Sequence, residues 1–312
     1  KTHWGDDYLH RQNLFFRTLL VAALTCHQQL LGDGRHLALL RDQVDSLSAE
    51  LDASPVGLLE DYPNECYPID VFAAIACIRR ADAVRGADHK AFTDRAIRAF
   101  QGRLLDERGL VPFFADWKTG FHDATSRGTG NSYILIFARD LWPERADAWY
   151  ALYEKHFWQT RWWAAGFREF PLNTPGHNRW LDYDVDAGPI IGGFSPAANA
   201  FGLAAAKVNG RLDHAWMLGA QVLTACWPLP DGSLLGARIL SSAGHAPYLG
   251  ETCILFFLAQ QPAPGVKRVT GGALPGFAKL GLLFYFGLGV LVIASTLLGL
   301  RHWRNKADSD AV

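Results

Sequence analysis

Carboxylates gather in two short stretches of this chain. In Leu181–Gly193, LDYDVDAGPIIGG, the acids Asp182, Asp184 and Asp186 alternate ahead of a Gly-Pro step and an apolar, alanine-rich run. In Gly57–Asp70, Asp61, Glu65 and Asp70 follow one another at spacings of four and five residues. Carboxyls sharing a desolvated site are driven to different pKa values by burial and like charge, so that one stays protonated while another ionises. Such a pair is a general acid and a general base, and it serves dehydration, isomerisation and glycosidic cleavage alike. Asp61, Glu65, Asp70, Asp184 and Asp186 are therefore the candidate catalytic residues, with His122, beside Asp123, as a candidate proton donor. The competing reading is structural: Asp70 and Asp186 stand near expected helix starts, where a carboxylate caps the helix. Polar and aromatic residues of the same loops, Tyr67, Trp117, Arg127, Trp180, Tyr183 and His245, are candidates for substrate contact.

Other chemistries fit less well. The alternating aspartates look like the start of a calcium loop, but no glutamate follows at the required position. No nucleophile elbow, phosphate-binding loop or dinucleotide fingerprint is present, so no cofactor or metal is expected. The five cysteines lack a C-x-x-C pattern, and Cys66 has no neighbouring base to activate it as a nucleophile.

The elements that would hold these residues repeat. Apolar helices are expected to begin near Ile69, Thr129, Phe194 and Leu249, at steps of 60, 65 and 55 residues. A polar loop with glycine or proline precedes each: DYPNECYPID, HDATSRGTGN, DYDVDAGPIIGG and SSAGHAPYLGE. More charged helices follow the first three, over 89–105, 145–159 and 212–226. A 60-residue period of apolar and amphipathic helices describes stacked helical hairpins. If the inner helices run the same way, the polar loops gather at one end and floor a pocket. Two further helices are expected over 9–31 and 35–51, a short β-hairpin within 106–126, and an irregular stretch over 160–180. The expected fold is all-α, a toroid of (α/α)6 type. About four and a half hairpins are visible, so the ring is incomplete unless a segment precedes Lys1.

The 312 residues are 49% hydrophobic with a formal charge of −1, enough for one large core and with nothing that points to nucleic acid. Eleven Trp, nine Tyr and nineteen Phe suit a well-filled core or an aromatic-lined pocket. Residues 1–262 read as one domain, 263–279 as a Pro/Gly-rich linker, 280–300 as an uncharged membrane span and 301–312 as a basic-then-acidic tail. The tight basic cluster after the span favours a single-pass protein with a cytoplasmic tail and an extracytoplasmic body. Its expected partners are a small-molecule or glycan substrate and the lipid bilayer, with an oligomer left open.

Over roughly 13–260 the chain resembles the linalool dehydratase/isomerase family, whose fold is an (α/α)6 barrel. Three stretches carry the resemblance: PNECYPIDVFAAIACIRRAD, DERGLVPFFADWKTGF, and DVDAGPIIGG with its alanine-rich helix. The resemblance implies a hydro-lyase or isomerase acting on a hydroxylated, lipophilic substrate. The departures are specific. Asp61 and Asp70 stand where the family carries its two catalytic cysteines, and Cys66 lies between them. The family's tyrosine at a helix start falls at Thr129 and its helical histidine near Leu20. Its first helices have no counterpart here, and its soluble relative lacks the C-terminal span. Two other classes remain: a six-hairpin-type glycosidase on a cell-surface glycan, and a non-catalytic binding module on the same fold.

Overall fold

A computed structural model describes residues 7–102, 104–122, 125–177, 179–229, 231, 234–235 and 249–309. The chain is mostly helical. Helices α1 (Leu14–Leu31), α3 (Pro68–Arg85), α5 (Gly128–Leu141), α7 (Pro196–Val208) and α9 (Leu249–Ala259) form an inner row, each packed on the next. Helix α2 (Leu37–Ala53) packs on α1 and α3, α4 (Lys90–Ala96) on α2 and α3, α6 (Pro143–Phe157) on α5, and α8 (Leu212–Ala225) on α7. The long C-terminal helix α10 (Gly276–Ser309) lies against α8.

The division into layers follows the side chains. In α3, Val71 to Ala76 are buried without interruption, as an inner helix requires. In α2 only a stripe is buried, through Leu40, Val44, Leu47 and Leu51, and in α6 through Ala146, Tyr150, Tyr153 and Phe157. Pro68 sets the φ of the first turn of α3, and Gly86 ends that helix in the left-handed conformation at φ 66°. Helix α5 begins on glycine for a steric reason: a Cβ on Gly128 would lie 1.9 Å from the carbonyl oxygen of Arg168. Phe72 anchors the core between α3 and the outer layer, edge-on to Phe100, Trp142 and Trp149 at 5.0–5.7 Å.

Several local expectations change. No strand forms over the described part of 106–126; two aspartate turns stand there instead. Asp106 Oδ1 accepts from the amides of Arg108 and Leu110, and Asp116 Oδ1 from those of Lys118 and Thr119. Self-bonding of this kind gives the backbone an alternative to a ladder. The stretch 160–180 is not wholly irregular, because β1 (Trp158–Thr160) and β2 (Ala165–Phe167) pair antiparallel across its start. The acidic stretch is not a helix approach but a hairpin, β3 (Leu181–Asp184) against β4 (Gly188–Ile191). A short pair, β5 (Trp227–Pro228) with β6 (Leu234–Leu235), follows α8. The charged helix expected over 89–105 is shorter, α4 passing into a 3-10 turn at Ile97–Phe100.

Helix α10 has 34 residues, and within Gly276–Asn305 an 18-residue apolar stretch has no buried residue, at a mean hydropathy of 2.2. It is long and apolar enough to cross a membrane. Helix α1 passes the same test of length and composition, but Leu14, Val21 and Leu24 are buried against its neighbours.

Candidate active site

The inner row encloses one side of a cavity of about 690 Å³. Its lining is mostly apolar and comes from α1, α3, α5, α7 and α9, with Asp70 and Asp186 as its carboxylates. These two acids come from the first turn of α3 and from the hairpin ahead of α7. Phe15 and Thr18 of α1, Ile69 of α3 and Thr129 of α5 join them from near the N-terminal ends of their helices. The loop before α9, which carries His245, lies outside the described residues.

Neither acid is a cap. The N-cap position of α3 is Tyr67, which makes no side-chain capping bond, and Asp70 sits two residues inside the helix. Helix α7 is capped by Ser195, whose Oγ accepts from the amide of Ala198 at 3.0 Å. Asp186 is separated from that cap by strand β4. Neither residue therefore serves as the N-cap of its helix, although the helix dipole still favours charge near Asp70.

Asp61 and Asp70 form the acidic centre. Asp61 is fully buried, its Oδ2 accepting from the Tyr67 amide at 2.7 Å, while Oδ1 has no partner among the described residues. Burial, and then the nearby charge of Asp70, holds the Asp61 carboxyl well above the ordinary carboxylate range. Burial pushes Asp70 up to about 7, so this acid exchanges its proton near neutrality. Tyr133 also lines the cavity, one helical turn after Thr129, and burial with help from Asp70 keeps its phenol protonated. It packs edge-on to Phe137 and Phe201 at 5.2 Å.

A second group of charges braces the mouth. Arg127 lies 3.9 Å over the ring of Phe113 and donates to Asp184 Oδ1 at 2.9 Å, with Asp186 Oδ2 at 3.8 Å. Burial raises the Asp184 pKa, but the Ala187 amide, Arg127 and the Asp186 amide together outweigh it and leave the group below its ordinary value. Glu169 is fully buried and accepts from Thr129 Oγ1 at 2.6 Å and Ser195 Oγ at 2.7 Å. Burial raises its pKa against those two hydroxyls. It ties the start of α5 to the start of α7 and so fixes the distance across the mouth.

The structure sorts the expected site residues by what they touch. Asp70, Asp186 and Tyr67 line the cavity. Asp61 does not line the cavity but is close enough to Asp70 to feel its charge. Glu65 is exposed and accepts from the Tyr67 hydroxyl at 3.0 Å, which orients Tyr67 but keeps the glutamate off the cavity. Asp184 and Arg127 are consumed in their ion pair, and His122 is not among the lining residues. Trp117 packs against the core under Lys118, while Trp180 and Tyr183 face outwards. Cys66 is buried and its thiol pushed up by that burial, which leaves it inert as a nucleophile. Tyr133 and Glu169 were not among the expected site residues. Tyr133 had one available signal, its i+4 relation to Thr129 on an inner helix; Glu169 had none, since its partners are 40 and 26 residues away.

No protein-family model matches this chain, and a search of curated proteins finds no match to it.

Proposed function

We propose that the chain is a membrane-anchored enzyme of (α/α)-barrel type that removes water from, or isomerises, a hydroxylated lipophilic substrate by carboxylate general acid–base chemistry. One observation carries the reading: the half-buried carboxyl of Asp70 shares a large, mostly apolar cavity with a second acid, Asp186, and desolvation there raises the Asp70 pKa. On this reading the inner row is most of a barrel, and α10 anchors it in the bilayer. The resemblance to the linalool dehydratase/isomerase family gives the same reaction class, with Asp61 and Asp70 standing in for that family's cysteines.

In the dehydrating direction, protonated Asp70 gives its proton to the substrate hydroxyl as the C–O bond breaks and water leaves. Asp186 takes a proton from the neighbouring carbon, and the C–H electron pair becomes the new double bond. Tyr133 donates a hydrogen bond to the departing oxygen. Asp61, held neutral, keeps a second negative charge from building behind Asp70. The apolar wall accepts the hydrocarbon part of the substrate. The mostly apolar lining, with no tryptophan among its described residues, favours a hydrocarbon over a glycan.

A screen of terpenoid and other long-chain alcohols beside oligosaccharides, with gas chromatography for alkene and isomer products, tests this. Turnover of an alcohol that Asp70→Asn abolishes supports the reading. Hydrolysis of a glycan, or binding of an alcohol without turnover, returns the protein to one of the other classes.

A further inference from the structure

Hairpin β3–β4 is amphipathic in the wrong sense for a surface in water. Alternation along β3 places Asp182 and Asp184 on one side and Leu181 and Tyr183 on the other, and Val185 and Asp186 follow in the turn to β4. Asp184 turns towards the protein and meets Arg127, while Asp186, in the turn, stands at the rim of the cavity with its side chain 54% exposed. The apolar set faces outwards: Tyr183 is 71% and Val185 83% exposed, and Ile191, paired with Leu181, extends the patch. A contiguous exposed apolar face rimmed by polar groups marks an interaction surface.

The course of α10 says what covers it. The turn 209–211 folds α8 back along α7, so α8 ends at the end of the molecule where α7 begins. The C-terminal segment follows α8 in the same direction. Val269 bonds Gly210 and Asp213, and a Cβ on Gly272 would meet Asp213 and Met217. Further on, one on Gly281 would meet Thr224, and the Tyr285 hydroxyl donates to the carbonyl of Cys226 at 2.6 Å. Helix α10 therefore leaves the body past the C-terminal end of α8, on the side of the cavity mouth. From Phe286 to Leu300 only 15 uncharged residues remain before Arg301. At 1.5 Å per residue they reach about 22 Å, short of the roughly 30 Å hydrocarbon core. To place the full apolar run in the bilayer, the end of the body beside Tyr285 has to sink to the level of the headgroups.

We infer that the outer face of hairpin β3–β4, with Leu181, Tyr183, Val185 and Ile191, is seated in the phospholipid interface beside α10, so that the cavity mouth opens at the membrane surface. Tyrosine and tryptophan suit that depth, and Trp180 begins the hairpin. The inference rests on α10 as an anchor but not on the acid–base reading.

The test uses the full chain reconstituted in phosphatidylcholine–phosphatidylglycerol vesicles, with a benzophenone amino acid placed in turn at Val185, Leu288 and Leu30. Leu288 lies within α10, and Leu30 is as exposed as Val185, at 82%, but near the opposite end of α1. Photolysis is expected to attach phospholipid at Val185 and Leu288, with at least a fivefold lower yield at Leu30. Labelling at Leu288 without labelling at Val185 overturns the docking and leaves the anchor standing. Labelling at neither overturns both, and equal yields at Val185 and Leu30 also overturn the docking.

Discussion

The Tyr67 amide donates a 2.7 Å hydrogen bond to Asp61 Oδ2, and this bond folds the 61–67 loop back over the first turn of α3. The same loop is clamped by the Asp61 amide on the Glu65 carbonyl at 2.8 Å. The position of Asp70 against the cavity thus depends on a carboxyl that is itself out of contact with the cavity. Asp61→Asn keeps an acceptor for Tyr67 and should melt close to the parent. Asp61→Ala leaves a buried amide unpaired and should cost about 1–3 kcal/mol, read by denaturant unfolding.

Asp184 and Asp186 should separate in the same hairpin. Asp184 has its pKa depressed, so its contribution to stability is present above the ordinary carboxyl range and is lost as pH falls through its folded value. Asp184→Asn is expected to lower stability at pH 7 by about 1 kcal/mol or less, given its partial exposure, and to make a smaller difference at pH 3. Asp186→Asn should leave melting unchanged at both pH values and lower turnover. Thermal melts at the two pH values, beside turnover at pH 7, check the contrast.

Glu169→Gln and Glu169→Ala probe the strut between α5 and α7. Gln retains an acceptor for the Thr129 and Ser195 hydroxyls, whereas Ala strands both. The Ala variant should lose about 2–3 kcal/mol and the Gln variant much less, by denaturant midpoint. Equal losses would mean that the buried charge itself, and not the hydrogen bonds, holds the two helix starts.

The C-terminal segment should matter to the body before it reaches the membrane. Ala278 is fully buried and Tyr285 bonds the end of α8. A chain ending at Ala263 is therefore expected to melt lower than one ending at Tyr285, and both should stay in solution without detergent, whereas the full chain should not. Differential scanning calorimetry and detergent partitioning measure the two effects.

Much of the helical frame was legible because inner helices carry an unbroken apolar signal. The expected starts near Ile69, Thr129 and Leu249 fall within one residue of Pro68, Gly128 and Leu249. The hairpin at Leu181–Ile191 was not legible, because alternating aspartates followed by Gly-Pro look the same ahead of a helix as within a tight hairpin. The turns at Asp106 and Asp116 were mistaken for a strand pair for a related reason: both arrangements use glycine after a polar residue. Of the candidate acids, the sequence could not tell Asp70 and Asp186, which line the cavity, from Asp184, which does not. That distinction depends on Arg127, 57 residues away. Tyr133 and Glu169 needed the third dimension, since no local pattern shows which side of α5 meets the cavity.

Asp70 carries the account, and its substitution tests it most directly. Its folded pKa of about 7 lies above its ordinary 3.8, so the native state binds the proton more tightly. Its contribution to stability is therefore complete below pH 3.8 and is lost as pH rises through 7. Asp70→Asn copies the neutral form. It should match the parent in stability at pH 4, exceed it at pH 8 by about 1–3 kcal/mol, and reduce turnover of the alcohol substrate by about 10²–10⁴. The measurement is denaturant unfolding at pH 4 and 8 together with turnover at pH 7. Greater stability at pH 8 with activity lost is the predicted result. Unchanged turnover, or a variant less stable at pH 8 than the parent, would contradict the assignment of Asp70 as the proton-transferring acid.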